Sequence, residues 1–81
     1  MKIRVKFFAL ARDIVGTGEK VMEIPPGSTT SSVLDALAAD NPEIVKWKDH
    51  LRIAVNWEYA SPGQMLHDRD EVAIIPPVSG G

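Results

Sequence analysis

Pro76-Pro77-Val78-Ser79-Gly80-Gly81 closes the chain, directly behind the apolar run Val72-Ala73-Ile74-Ile75. These are the residues whose types and order could do chemistry. Proline has no N–H to donate, so a strand that meets two of them cannot extend its ladder. The two glycines beyond lose more entropy on ordering than any other pair would. That cost makes sense where an extended end must slip into a narrow site in which a Cβ would collide. The reactive group would then be the α-carboxylate of Gly81, with Gly80 leaving room beside it. Gly-Gly by itself is better read as a frayed terminus, because small residues gather at chain ends. The strand-Pro-Pro-Val lead-in is what favours the reactive reading.

An α-carboxyl group has a pKa near ~3.5, which makes Gly81 an anion at neutral pH. Carboxylates resist nucleophiles and need activation, for which an acyl-adenylate made from ATP is the usual means. The chain has no Gly-rich phosphate loop of its own. A separate enzyme would have to use the ATP, and no cofactor is expected on this chain. Once adenylated, Gly81 could take sulfur to become a thiocarboxylate, or an amine to become an amide. Cysteine is absent, so no thiolate side chain could carry sulfur here and none could ligate a metal. His50 and His67 have no metal-pair spacing and read as surface residues.

Eighty-one residues with 44% hydrophobic content make one small domain with a modest core. A net charge of −2 argues against nucleic acid, whose phosphates need a basic stripe. No apolar run approaches the roughly 20 residues that span a bilayer. Met1-Lys2-Ile3 leads directly into a strand pattern without a signal-peptide h-region. A cytoplasmic protein off the membrane is expected.

The elements that must position the tail follow from periodicity. Ile3, Val5 and Phe7 alternate with Lys2, Arg4 and Lys6 in a half-buried first strand. Ala9 to Val15 reads as a short helix closed by Gly16, with Phe8 as a core or flap contact. Lys20 to Ile24 predicts a second strand, antiparallel to the first. Several candidate N-caps over 28–32 introduce the main helix, whose apolar side is Val33, Leu34, Leu37 and Ala38. Asn41-Pro42-Glu43 looks like a second helix start, with Ile44, Val45 and Trp47 as its apolar side. Ile53, Val55 and Trp57 alternate in a third strand, and Tyr59-Ala60-Ser61 offers a short return strand. Trp47 and Trp57, each on a regular element, are expected to pack. His67-Asp68-Arg69-Asp70 reads as a solvated, charged turn. Glu71 to Ile75 is a nearly continuous apolar strand, which suggests burial on both faces. A crossover through the main helix lets the last strand lie parallel beside the first. The expected fold is an α+β, ubiquitin-like β-grasp: a mixed sheet with one main helix on one face. The domain would occupy 1–75, with a flexible tail over 76–81.

Phe7-Phe8-Ala9, Ala54-Val55-Asn56 and Leu66-x-Asp68-x-Asp70-Glu71-Val72-Ala73, together with the Pro-Pro-Val-Ser-Gly-Gly end, resemble the small subunit of molybdopterin synthase, the MoaD family. The resemblance runs from Ile3 onward, and its specific part is the final sixteen residues. It implies that a MoeB-type adenylyltransferase activates Gly81 and that a sulfur donor converts it to a thiocarboxylate. The tail would then give sulfur to cyclic pyranopterin monophosphate inside a large MoaE-type catalytic subunit, building the dithiolene of molybdopterin. The implied assembly is a heterotetramer of two small and two large subunits. In this picture the chain donates sulfur without catalytic side chains of its own. The family often has glycine where this chain has Arg69; a left-handed turn there would cost arginine roughly 1 kcal/mol or less.

Candidate contacts with the large subunit are Phe7, Ile74, Ile75, Pro76, Pro77, Val78 and Ser79. Phe7 and one of the isoleucines are more simply read as filling the core. Pro76 and Val78 lie beyond the strand and are the better surface candidates. Rival readings are a sulfur carrier for thiamine thiazole, a ubiquitin-like modifier joined to lysines, and a plain interaction module.

Overall fold

A computed structural model of the chain describes residues 1–76. Strand β1 (Lys2–Phe7) leads into helix α1 (Ala9–Val15), which Gly16 ends in a left-handed conformation, φ 88°. Strand β2 (Glu19–Glu23) returns antiparallel to β1, in the register Lys2↔Glu23 to Lys6↔Glu19. Helix α2 (Thr30–Asp40) is the longest helix described. Thr29 caps it with a reciprocal box: its side chain accepts from the Ser32 N–H, and its own N–H donates to Ser32 Oγ. The expected second helix start is realised as one turn, α3 (Ile44–Trp47). Strands β3 (Arg52–Val55) and β4 (Glu58–Tyr59) form a hairpin, and β5 (Glu71–Ile75) is the last element.

The strand order is β2-β1-β5-β3-β4. The final strand therefore sits in the middle, parallel to β1 and antiparallel to β3. Ile3, Val5 and Phe7 of β1, Val72 and Ile74 of β5, and Ile53 and Val55 of β3 share one face. Val33, Leu34 and Leu37 of α2 close over that face, with Ala11, Ile44 and Leu66 filling its margins. At about 25 cal/mol per Å² of apolar area, this single layer is the main source of stability. Thr30 is the one polar residue fully buried among those described; its hydroxyl donates toward the carbonyls of Ser61 and Pro62. Those contacts tie the β4–β5 connection to the start of α2.

Two expectations need correction. The last strand is not buried on both faces: Val72 and Ile74 are buried, whereas Glu71, Ala73 and Ile75 are half-covered on the opposite side. With one helical layer, nothing in the described chain covers that second face fully. Trp57 is not packed either, and 75% of its surface is exposed. It occupies the turn between β3 and β4, so the alternation that includes it ends at Val55.

Arg69 has φ 70°, the left-handed region, while its side chain points into solvent. Its N–H donates to the Lys2 carbonyl at 2.6 Å, and a glycine would keep that bond. Arg69→Gly should therefore raise unfolding free energy by up to about 1 kcal/mol, read from urea denaturation midpoints; a loss of stability would show that the arginine side chain contributes more than the strain it imposes.

Candidate functional site

Three loops set the geometry around β5: two lie at its start, and the third lies beside its end at Ile75. The first is the approach to β5. Asp68 Oδ1 accepts from the Lys2 N–H at 2.8 Å. Asp70 accepts from the His67 N–H at 2.8 Å and from Asn56 Nδ2 at 3.0 Å. Asn56 Oδ1 in turn accepts from the Glu71 N–H at 3.0 Å, and the Arg4 N–H donates to the Asp70 carbonyl. Only 12% of the Asp70 side chain is exposed. What reads in sequence as a solvated acidic turn is thus a clasp that joins β1, the β3–β4 turn and β5. The signal available was the pairing of a turn Asn with Asp-x-Asp, since both types satisfy loop backbone groups.

The second loop is the two-residue turn Asn56-Trp57, with φ 51° and 73°. Positive φ at both central positions is the hairpin arrangement that favours Asn-Gly. Asn56 suits its place and also serves the clasp. Tryptophan does not suit the second place, because a left-handed backbone costs a residue with a Cβ about 1–2 kcal/mol. The third is the β1–α1 junction, where Phe8 stands 43% exposed.

Together these elements frame a shallow apolar depression of about 420 Å³ on the open face of the sheet, lined by Phe8, Ala54, Trp57, Tyr59, Ala73 and Ile75. Two cations border it, each set over a ring: Lys6 Nζ lies 5.2 Å from the Trp57 ring centre, and the Arg52 guanidinium 5.5 Å from that of Tyr59. Lys6 also pairs with Glu71 at 2.8 Å, both side chains being under a third exposed. Pro76, the first residue after β5, is buried and borders a second recess with His50, Leu51, Arg52 and Tyr59.

The expected site residues therefore separate. Phe7 (2% exposed) and Ile74 (0%) belong to the core, in line with the core reading of Phe7 and one isoleucine, and so leave the set of candidate partner contacts; they point to the helix side of the pleat. Ile75 lies on the open face, inside the apolar depression. Pro76 is covered, although a residue beyond the strand was expected to have nothing to enter. Pro77, Val78, Ser79, Gly80 and Gly81 lie outside the described residues. Phe8, Trp57 and Tyr59 are the exposed aromatics that sequence periodicity did not assign to this face. His50 and His67 are exposed, and Trp47 is half-buried. Among the described residues no helix is long and apolar enough to cross a membrane, and no cluster of His, Asp or Glu could hold a metal ion.

Comparison with known proteins gives a consistent picture. The model of the ThiS family matches residues 5–81. The molybdopterin synthase sulfur carrier subunit of Arabidopsis thaliana is 38% identical over 81 residues, covering 100% of this chain and 84% of its own length. A Pyrococcus furiosus structure, described as subunit 1 of molybdopterin converting factor, superimposes with a TM-score of 0.88 at 29% identity, covering 96% of this chain and 99% of that one. The small archaeal modifier protein 1 of Haloferax volcanii has a TM-score of 0.81 at 26% identity, over 95% and 98% of the two chains. These neighbours are ubiquitin-like β-grasp carriers, and the fold is the expected one.

The clasp makes a direct prediction. Asp70→Ala leaves the His67 N–H and the Asn56 amide without their acceptor, and should lower stability by about 1–3 kcal/mol in urea denaturation. A change under about 0.5 kcal/mol would mean that the turn is as solvated as its sequence suggests.

Proposed function

The chain belongs to the ThiS family, and from that premise we propose that it is the sulfur-carrier subunit of a molybdopterin synthase. Gly81 is adenylated at its α-carboxylate with release of pyrophosphate. A sulfur nucleophile then displaces AMP, leaving a C-terminal thiocarboxylate. That sulfur passes to cyclic pyranopterin monophosphate in a large MoaE-type subunit, and successive transfers build the molybdopterin dithiolene. ATP belongs to a MoeB-type activating enzyme, and the sulfur donor is a further partner. The assembly follows the family pattern, two small and two large subunits, in the cytoplasm. The body occupies 1–75 and the reactive arm 76–81. Gly80 gives the narrow approach, and Pro77, Val78 and Ser79 contact the partner.

The observation that supports this most directly is the seating of β5. It is the central strand, bonded on both edges and anchored at its start by the Asp70 clasp. The residues after it therefore begin from a fixed point beside an apolar face. Five residues beyond Pro76 extend at most about 18 Å. Any enzyme that acts on Gly81 must come within that reach, and so must lie against the end of the sheet. A carrier needs no catalytic side chains of its own if its partners supply them. The relative named for molybdopterin synthase, matched over the whole of this chain, supports the pterin as recipient.

The likeness to an archaeal modifier protein favours one alternative, in which an activated Gly81 is joined to a lysine amine. The thiamine thiazole pathway is the other, suggested by the ThiS family model. Intact-mass spectrometry separates them. Incubation with activating enzyme, ATP and sulfide should replace one oxygen of Gly81 by sulfur, and adding large subunit and pterin precursor should reverse the change. Discharge only by a thiazole-forming system, or higher-mass lysine conjugates in place of the thiocarboxylate, would overturn the molybdopterin assignment. A chain lacking Gly81 should fold normally and lose all sulfur transfer; retained transfer would remove the carboxylate from the mechanism.

A further inference from the structure

Trp57 is the residue least explained by the chain's own stability. It occupies the second position of a turn that favours glycine, with φ 73°, and is 75% exposed. Its intramolecular return is small. Its ring lies 5.2 Å from Lys6 Nζ and borders the Lys6–Glu71 ion pair, a contact of low worth at an exposed position. A strained, bulky, solvent-facing residue is a pointer to function, provided that the strain is observed first. Here it is observed, and the residue stands on the same apolar depression as Ile75, one residue before the arm.

We propose that Trp57 is a specificity anchor for the large subunit: its indole inserts into an apolar pocket of that partner, and Lys6 beside it meets a partner carboxylate. This rests on the carrier reading above. Three features commit the face to that occupant. Five residues of chain beyond Pro76 put the site that accepts Gly81 within about 18 Å of it, so that partner approaches the Ile75 end of the open face. The exposed aromatics Phe8, Trp57 and Tyr59 supply rigid apolar area of the kind that dominates interface energetics. Lys6 and Arg52 are held against rings at two sides of the depression, which fits a partner segment that is apolar in its middle and acidic at its flanks. The turn fixes the backbone from which the indole projects, with φ 51° at Asn56 and 73° at Trp57.

The test is Trp57→Gly, which removes the side chain and relieves the backbone. Its thermal midpoint should be unchanged or raised by a few degrees, and its affinity for purified large subunit, by calorimetry, should fall at least tenfold. Trp57→Phe, which keeps an apolar ring, should recover part of that loss. With Trp47→Phe as background, Trp57 emission should shift to shorter wavelength when the large subunit is added. Wild-type binding together with a Trp57→Gly affinity within twofold would overturn the anchor and leave the carrier reading intact. A large fall in the thermal midpoint would overturn it too, by showing that the indole serves the fold. Failure of the wild-type chain itself to bind the large subunit would overturn the carrier assignment, and this inference with it.

Discussion

Strand β5 is hydrogen-bonded along both edges, to β1 in parallel and to β3 in antiparallel. The other features of the molecule follow from that placement. A central strand has no free edge to offer, so a chain that continues past it must leave the sheet at its end. Pro76 suits that departure, since it cannot donate to a neighbouring strand. The pleat then sends Val72 and Ile74 to the helix side, and Ala73 and Ile75 to the other. One face is consumed by folding. The other remains as the surface beside the exit.

Parallel neighbours lack the short hairpin that sets register between antiparallel strands. In this chain the clasp does that work. Lys2, Arg4, Asn56, Asp68 and Asp70 exchange hydrogen bonds over the start of β5. A slip of one residue would turn Val72 and Ile74 outward and break every one of those bonds. Arg69 is the cost of this construction, a left-handed residue inside the loop that carries the clasp. The register of β5 is thus fixed at its start.

The open face shows how a small domain divides its apolar residues between stability and contact. Fourteen buried residues form one core cluster under α2, and little else could be added to it at this chain length. Phe8, Trp57 and Tyr59 stay outside. Their rings border the open face of the sheet beside Ala73 and Ile75, with Lys6 and Arg52 lying over two of them. Charge and apolar area on that face are therefore combined in one surface rather than segregated.

Much of this was legible in the residues themselves. Alternation in β1, the capped period of α2, the left-handed Gly16 and the proline stop after Ile75 are local signals, and each is carried by a few neighbouring residues. The candidate reactive end is a reading of the sequence alone, because its chemistry would be that of a terminus and not of an assembled pocket; it lies outside the described residues. Three things needed the tertiary structure. Phe7 and Phe8 are adjacent and chemically alike, and only the packing of α2 on one face decided which is core and which is surface. Asp70 looks like any acidic turn residue until Asn56, fourteen positions away, is brought against it. Trp57 continues an alternating pattern on paper, yet the hairpin turns at Asn56 and lifts its ring into solvent. Local pattern sets the elements. Contacts between distant residues decided which faces were buried, and so which residues were left to meet a partner.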